Sequence, residues 1–327
     1  MKIGRMHGLV LSLLGTLAGG CAARQGGGLA DRLVNPGEPP VSFDVPARSP
    51  QSTAPASTVS EALQEEIRAR PSPSTPASHT IEFADRRLAE ALQAAAQMPT
   101  AVNYCRVAAE YRRLHVLDKA YDYLTMAIRT APKSPEAFEE RAQVWRDWGL
   151  ASIGLGDAYR ALHFAPTSAS VHNTLGTLLQ AIGDAQEARK AYRQALALDS
   201  SAAYALSNLC YLSFLEGHPA DAAAECRAAL DIEPRLSAAL NNLALAYAAQ
   251  GDIPAAREEF FRAGDVATGS FNLGLVYMAM KQYRLAEESF RAAIDASPSL
   301  PAAREQAERA AKLVDRSGQT HGQRALR

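Results

Sequence analysis

Small and apolar residues return at fixed places along most of this chain, with a period of 34 residues. Gly149, Gly183, Gly217 and Gly251 mark that period, and Pro132 and Pro166 keep it. Pro234 lies two periods beyond Pro166, and Pro298 follows after 64 residues, so one block has lost four. The blocks are 101–134, 135–168, 169–202, 203–236, a shortened 237–266, and 267–300. Position 8 of the blocks holds Ala108, Ala142, Gly176, Cys210, Ala244 and Gly274. Position 20 holds Ala120, Gly154, Ala188, Ala222, Ala256 and Ala286; position 27 holds Ala127, Ala161, Ala195, Ala229, Ala263 and Ala293. All but Cys210 are alanine or glycine. Two antiparallel helices approach closely only where side chains are small, so each block predicts a helix pair touching at these positions. Leu175, Leu209, Leu243, Leu273, Tyr192, Phe260 and Phe290 are placed to fill the space beside the contacts. Gly183-Asp184 and Gly251-Asp252 predict turns between the two helices, with Gly ending one and Asp capping the next. Pro219 and Pro254 fall where second helices start, a position that tolerates proline.

Block 2 departs from the pattern, with Arg141 at position 7, Gly154 at 20 and Ala158 at 24, which predicts a loosely packed second helix. The loss before Ala267 predicts a shortened connection and altered stacking. Both ends of such an array need covers for their apolar faces. Residues 80–100 predict an N-terminal cap, helical from Thr80 to Gln97, with Leu88, Ala91, Leu92 and Ala95 in a stripe. Residues 301–315 predict a C-terminal helix whose outer side carries Arg304, Glu305, Glu308, Arg309 and Lys312; residues 316–327 read as a flexible polar tail.

The 34-residue pattern resembles the tetratricopeptide repeat. That resemblance implies an all-α fold: a right-handed α-solenoid of about six helix-turn-helix repeats, with capping helices and a disordered linker ahead of it. It also implies a concave groove lined by positions 2, 5, 9, 12 and 13 of each first helix. Blocks 1 and 2 would place Arg112, Arg113, Glu136, Glu139, Gln143, Arg146 and Asp147 there, and block 3 Asn173, Thr177 and Gln180. Later blocks would place Tyr204, Ser207, Tyr211, Phe214, Leu215, Asn241, Leu245, Phe271, Leu275 and Met278 there. The groove is thus expected to run from charged to apolar and aromatic. Asn208, Asn242 and Asn272, at position 6, are expected to hydrogen-bond a bound peptide's backbone. Blocks 3 to 6 put no Lys or Arg at the groove positions, which disfavours a ligand held by its C-terminal carboxylate. An extended or helical peptide with apolar anchors fits better. In the competing reading, the aromatics pack against neighbouring helices or the C-terminal cap.

The chain begins with Lys2 and Arg5, then an apolar stretch from Gly8 to Ala18 that is too short to span a bilayer. Ala18-Gly19-Gly20-Cys21 follows and resembles the lipobox of bacterial lipoproteins. The resemblance implies a signal peptide over 1–20 and acylation of Cys21. With Ala22 next, it implies an outer-membrane lipoprotein facing the periplasm. Residues 21–79 hold nine of the chain's 18 prolines and Gly26-Gly27-Gly28. Such a stretch cannot bury enough apolar surface to offset its ordering entropy, and it predicts a disordered linker. Within it, Ser60 to Arg70 reads as a short helix with Leu63 and Ile67 on one side. An envelope address implies an oxidising milieu. Cys210 at position 8 and Cys226 at position 24 of one block lie opposite each other in an antiparallel pair. They read either as a disulfide or as two buried thiols. Cys105 has no partner legible in the sequence.

Alanine fills about a fifth of the chain, which agrees with closely packed helices. Net charge is -1, from 34 Lys+Arg against 35 Asp+Glu. That balance disfavours a nucleic-acid partner, which needs a basic field. No Gly-rich phosphate loop, H-E-x-x-H, C-x-x-C or G-x-S-x-G occurs, and the histidines lack metal spacing. No catalytic residue, metal or cofactor is therefore expected. The expected function is a non-enzymatic scaffold, anchored in the cell envelope, that binds a protein or peptide. Lipoproteins with similar repeats include assembly factors of Flp/Tad and type IV pili and of their secretin pores. An adaptor for peptidoglycan hydrolases or proteases is the alternative. Partner identity and oligomeric state are not encoded in these patterns.

Overall fold

The computed structural model describes residues 85–325, with side-chain surroundings to Arg316. The expected signal peptide, Cys21 and the linker to residue 79 lie outside the described residues. Within them the chain is all-helical. A leading helix, α1 (Arg86–Gln97), precedes six helix pairs. The pairs are α2 (Ala101–Arg113) with α3 (Leu117–Thr130), α4 (Pro135–Asp147) with α5 (Ala151–Phe164), and α6 (Ala169–Ala181) with α7 (Ala185–Leu198). They continue as α8 (Ala203–Leu215) with α9 (Pro219–Ile232), α10 (Ser237–Gln250) with α11 (Ile253–Ala263), and α12 (Val266–Ala279) with α13 (Tyr283–Ala296). α14 (Pro301–Ala325) ends the array. Each second helix packs on its own first helix and on the next one, while first helices from α2 to α10 also pack on each other. The first helices therefore form the closer-spaced, inner layer.

One turn geometry is used six times. His115, Gly149, Gly183, Gly217, Gly251 and Lys281 all have φ between +58° and +90°. The following residue donates its backbone N–H to the carbonyl five residues back, as in Asp184 to Leu179 and Gln282 to Tyr277. This satisfies carbonyls that the helix end leaves unpaired. Asp184 and Asp252 cap the second helices through their side chains, as expected. Thr100, Ser134, Ser168 and Asp265 cap first helices in the same way.

Within each repeat the two helices meet where position 8 faces position 24. The volumes at this pair are complementary. Gly176 faces Tyr192, and Gly274 faces Phe290: a Cβ on either glycine would lie 2.5 Å and 2.6 Å from the ring. Ala244 and Phe260 make the same pair with both side chains fully buried. In the fourth repeat the pair is Cys210 and Cys226, which form a disulfide with Cα atoms 5.3 Å apart. Cys105 is a buried free thiol.

Four expectations need correction. Repeat 2 is not loose. Its Arg141 and Asp157 stand 16 residues apart, like the two bonded cysteines, and form a two-pronged ion pair at 2.7 and 2.8 Å between the helices. Trp145 Nε1 donates to the same carboxylate at 3.2 Å. Gly154 lets α5 approach so closely that a Cβ would meet the Ala142 carbonyl at 2.8 Å. Second, the shortened repeat loses residues mainly from its second helix, 11 residues against 14 in α9, and not only from the connection. Third, the N-terminal helix starts at Arg86 behind the cap Asp85, because the Asp85 side chain accepts from Leu88 N. Fourth, α14 continues to Ala325, so the helix extends through most of the expected tail.

Two stability outcomes follow from the position 8–24 contact. Gly176→Ala should destabilise the domain by about 1–3 kcal/mol, because the methyl group displaces the Tyr192 ring. Tyr192→Leu in the same chain should recover part of that loss in urea unfolding. Replacing Cys210 and Cys226 together by Ala should cost about 3 kcal/mol, since the bridge closes a short loop. Equal urea midpoints for the bridged and bridge-free chains would contradict this.

Candidate partner-binding face

The inner layer is built from side chains of the first helices, and a regular hydrogen-bond ladder links them. At four successive interfaces the residue at position 6 donates to position 5 of the preceding repeat. Thr174 Oγ1 donates to Glu139 Oε1 at 2.8 Å. Asn208 Nδ2 donates to Asn173 Oδ1 at 2.8 Å. Asn242 Nδ2 donates to the Ser207 carbonyl and hydroxyl at 3.1 and 3.3 Å. Asn272 Nδ2 donates to Asn241 Oδ1 at 3.1 Å. Most of these groups are buried, and a buried polar group without a partner is costly. The ladder therefore fixes the rotation of each repeat on the last.

Over repeats 1 to 3 a second polar network lies beside the ladder. Arg112 pairs with Asp147 at 2.7 Å and donates to Gln143 Oε1. Gln143 Nε2 donates to Thr174 Oγ1 at 3.0 Å, and Arg146 donates to Thr177 Oγ1 at 2.9 Å. Ser170 donates to Glu139. Arg113 binds Asp85 and Glu110, both at 2.6 Å, which ties α1 to the array. Asn103 adds to that tie by donating to the Ala94 and Met98 carbonyls. Burial pushes the Glu140 carboxyl up to about 7, with Arg112 opposing and Glu139 and Glu136 adding to the rise. Burial likewise pushes the Cys105 thiol up to about 12, helped by Glu140 and Glu136.

The expected change from charged to apolar along the first helices is present, but the apolar end is largely closed. Ser207, Phe214, Asn241, Asn242, Leu245, Asn272, Leu275 and Met278 were all expected to face a partner, and all are buried. α10 carries Ala239, Ala244, Ala246 and Ala248, all buried, so neighbouring helices approach and larger side chains fill the seam. Phe214, Leu245, Leu275 and Met278 belong to one apolar cluster with Phe260 and Phe290. Asn208, Asn242 and Asn272 are committed to the ladder rather than to a ligand. Of the expected set, Tyr204 is 38% exposed, and Asn208, Tyr211 and Phe271 are half-buried. Burial pushes the Tyr211 phenol up to about 12. Tyr211 lies 6.4 Å from Phe214, ring centre to ring centre, and Phe271 lies 5.5 Å from Phe290.

Comparison with known proteins agrees with this architecture. Models of the tetratricopeptide repeat match residues 173–237, 217–270 and 267–300. Residues 173–300 are tetratricopeptide repeats. The same helix pair and turn recur in 101–172, so all six pairs share the tetratricopeptide-like architecture of one solenoid. No curated protein sequence matches the chain. Among solved structures, the Cut9 and Hcn1 hetero-tetramer of APC/C superposes with a TM-score of 0.57 at 19% identity, covering 68% of this chain and 45% of that one. The chain thus spans less than half of that relative. A tetratricopeptide repeat protein from Parabacteroides merdae gives 0.53 at 16% identity, covering 68% and 90% of the two chains. PilW, a type IV pilus biogenesis factor, gives 0.52 at 20% identity, covering 64% and 96%. At these identities the likeness is one of fold. Tetratricopeptide solenoids are generally protein–protein interaction scaffolds. Among the described residues, no group of three His, Cys, Asp or Glu side chains is placed to hold a metal ion.

The ladder can be tested by a double-mutant cycle. Thr174→Val keeps the shape but strips Glu139 of a buried donor, and should cost about 1–3 kcal/mol in urea unfolding. Combined with Glu139→Gln, the two losses should fall short of their sum by about 0.5 kcal/mol or more. Strict additivity would show that the two groups are not coupled.

Proposed function

We propose that this chain is a lipid-anchored interaction scaffold of the bacterial cell envelope. It would hold a protein or peptide partner on the inner, first-helix face while a pilus or secretion machine is assembled. The observation that carries the reading of an interaction face is the unequal use of that face. Its polar groups are largely spent on repeat-to-repeat bonds, whereas Tyr204 stands exposed with Tyr211 and Phe271 half-buried. Aromatic side chains of this kind supply most of the binding energy where a partner can cover them. The Cys210–Cys226 bridge supports an oxidising compartment. The lipobox-like run ending at Cys21 supports attachment to a membrane, with a Pro-rich tether of 21–79 between anchor and solenoid. The fold that the chain shares with PilW is compatible with the pilus role, which rests on resemblance.

The test is site-specific photo-cross-linking in the full chain with its anchor intact. A benzophenone at Tyr204 should trap one envelope protein. The same probe at Tyr159, exposed on the second helix α5, should not. Tyr204→Ala with Tyr211→Ala should weaken capture by about tenfold or more. Cys21→Ala should move the protein from the membrane to the soluble fraction. Equal trapping from Tyr159 and Tyr204 would refute the face, and unchanged fractionation would refute the anchor.

A further inference from the structure

The fourth repeat closes its helix crossing differently from the others. Elsewhere a bulky side chain stands at position 11, at position 24 or at both: Tyr111 and Leu124, Trp145, Leu179 and Tyr192, Tyr247 and Phe260, Tyr277 and Phe290. Repeat 4 has Ser213 and Cys226 at those places, with Cys210 at position 8. Its bulk comes from Phe214 at position 12, which packs in one cluster with both cysteines. Helix capping is weaker there too. In each other repeat at least one helix has a side-chain N-cap, from Thr100, Ser134, Ser168, Asp184, Asp252 or Asp265. Neither α8 nor α9 has one, so neither gains that stabilisation. A polar tie does reach both helices. Arg189 of α7 donates to Ser213 Oγ at 3.2 Å and pairs with Glu216 and, at 3.6 Å, with Glu225. These bonds fasten α8 and α9 to repeat 3, not to each other, and Glu225 Oε2 is left buried without a hydrogen-bond partner. At the crossing itself, α8 and α9 are joined by the Cys210–Cys226 bond, with both residues fully buried.

α8 is also the helix that presents Tyr204 and Tyr211, and its Ser207 and Asn208 make the ladder bonds to repeats 5 and 3. We propose that the disulfide gates partner binding: repeat 4 holds its helices together and presents Tyr204 and Tyr211 only after Cys210 and Cys226 have been oxidised. The gate rests on the reading of the inner face as the partner's. The oxidant is a disulfide carrier of the thiol–disulfide oxidoreductase class. The thiolate of one cysteine attacks the carrier's disulfide and expels one of its sulfurs as a thiolate. The second cysteine thiolate then attacks the mixed disulfide, closes the Cys210–Cys226 bond and expels the carrier's other sulfur. Two protons and two electrons leave the chain's thiols, and the carrier ends as a dithiol. Both cysteines are buried once the crossing has formed, so the exchange takes place while repeat 4 is open. In the reduced chain the covalent link is gone, and no side chain of the size of Tyr192 or Phe260 stands at position 24 in its place. Each repeat of a solenoid leans on its neighbours alone. Opening repeat 4 therefore parts repeats 1–3 from repeats 5 and 6 and disperses the aromatic anchors of α8.

Hydrogen exchange of the full chain tests the dependence without a partner. Cys210→Ala with Cys226→Ala should lower the protection of α8 and α9 by about a hundredfold, and that of α4 and α12 by much less. The unsubstituted chain, unfolded and returned to buffer with a dithiol reductant, keeps every side chain and should show the same selective loss. Cys105 is already a free thiol, so among the described residues the reductant changes the Cys210–Cys226 pair alone. Equal protection of α8 and α9 in the bridged and reduced chains would overturn the gate. Binding is read with the benzophenone at Tyr204. Trapping should fall by about tenfold or more when the chain is reduced, and unchanged trapping would also overturn the gate. A bridged chain that traps no more from Tyr204 than from Tyr159 would overturn the partner face itself, and with it the gate on binding, whatever the exchange shows.

Discussion

The architecture depends on one contact, the close approach of two antiparallel helices at positions 8 and 24 of each repeat. Helices reach that distance only if the side chains at the crossing together fit a narrow gap. The chain meets the constraint in several ways: glycine against an aromatic ring, alanine against phenylalanine, and a covalent bridge between two cysteines. A bridge is compatible with the fold there because the crossing already holds the two backbones at a spacing disulfides accept. Repeat 2 has alanine on both sides at Ala142 and Ala158, and the helices stay together by a neighbouring device. Arg141 and Asp157 are one position back on each helix and join through paired hydrogen bonds. Breaking such a pair by removing one partner leaves a buried charge, which makes it a strict fastener.

A second constraint acts between repeats. Buried first-helix donors need acceptors, and they find them on the first helix of the preceding repeat, although Asn242 Oδ1 itself accepts no hydrogen bond. That requirement explains why the inner face offers a partner less than its residue types suggest. The arginines, glutamates and asparagines that could grip a peptide are largely bonded to the next repeat. At the apolar end, the large side chains of the expected set that stay accessible are Tyr204, Tyr211, Leu215 and Phe271. Specificity on such a surface comes from shape and apolar area more than from charge pairing.

The repeat, the caps of Asp184 and Asp252 and the opposed cysteines were legible in the sequence because each follows from spacing alone. The groove was less legible. Whether Phe214 or Met278 faces outward depends on how closely α8, α10 and α12 approach, and that depends on alanines contributed by a different helix. Position 6 was recognised as a line of asparagines, but a single repeat does not show that their partners lie 31 or 35 residues away. Arg141 looked like a defect when read by itself. Its counterpart Asp157 stands at the same 16-residue offset as the two cysteines, and reading the two offsets together would have revealed the pair.

In a solenoid each repeat contacts only its neighbours, so stability is close to a sum of repeat and interface terms. The terms here are unequal along the chain. Repeats 2 to 6 are joined by the neutral-donor ladder, and repeat 4 carries a covalent link. Repeat 1 is fastened to α1 through Arg113 with Asp85 and Asn103 with two carbonyls, and to repeat 2 through Arg112 with Asp147 and Gln143 and the packing of Tyr121 on Trp145 and Trp148. Local opening in a linear array concentrates at the weakest interface. The ladder-linked repeats, with the disulfide inside them, are therefore the part of the array expected to open last.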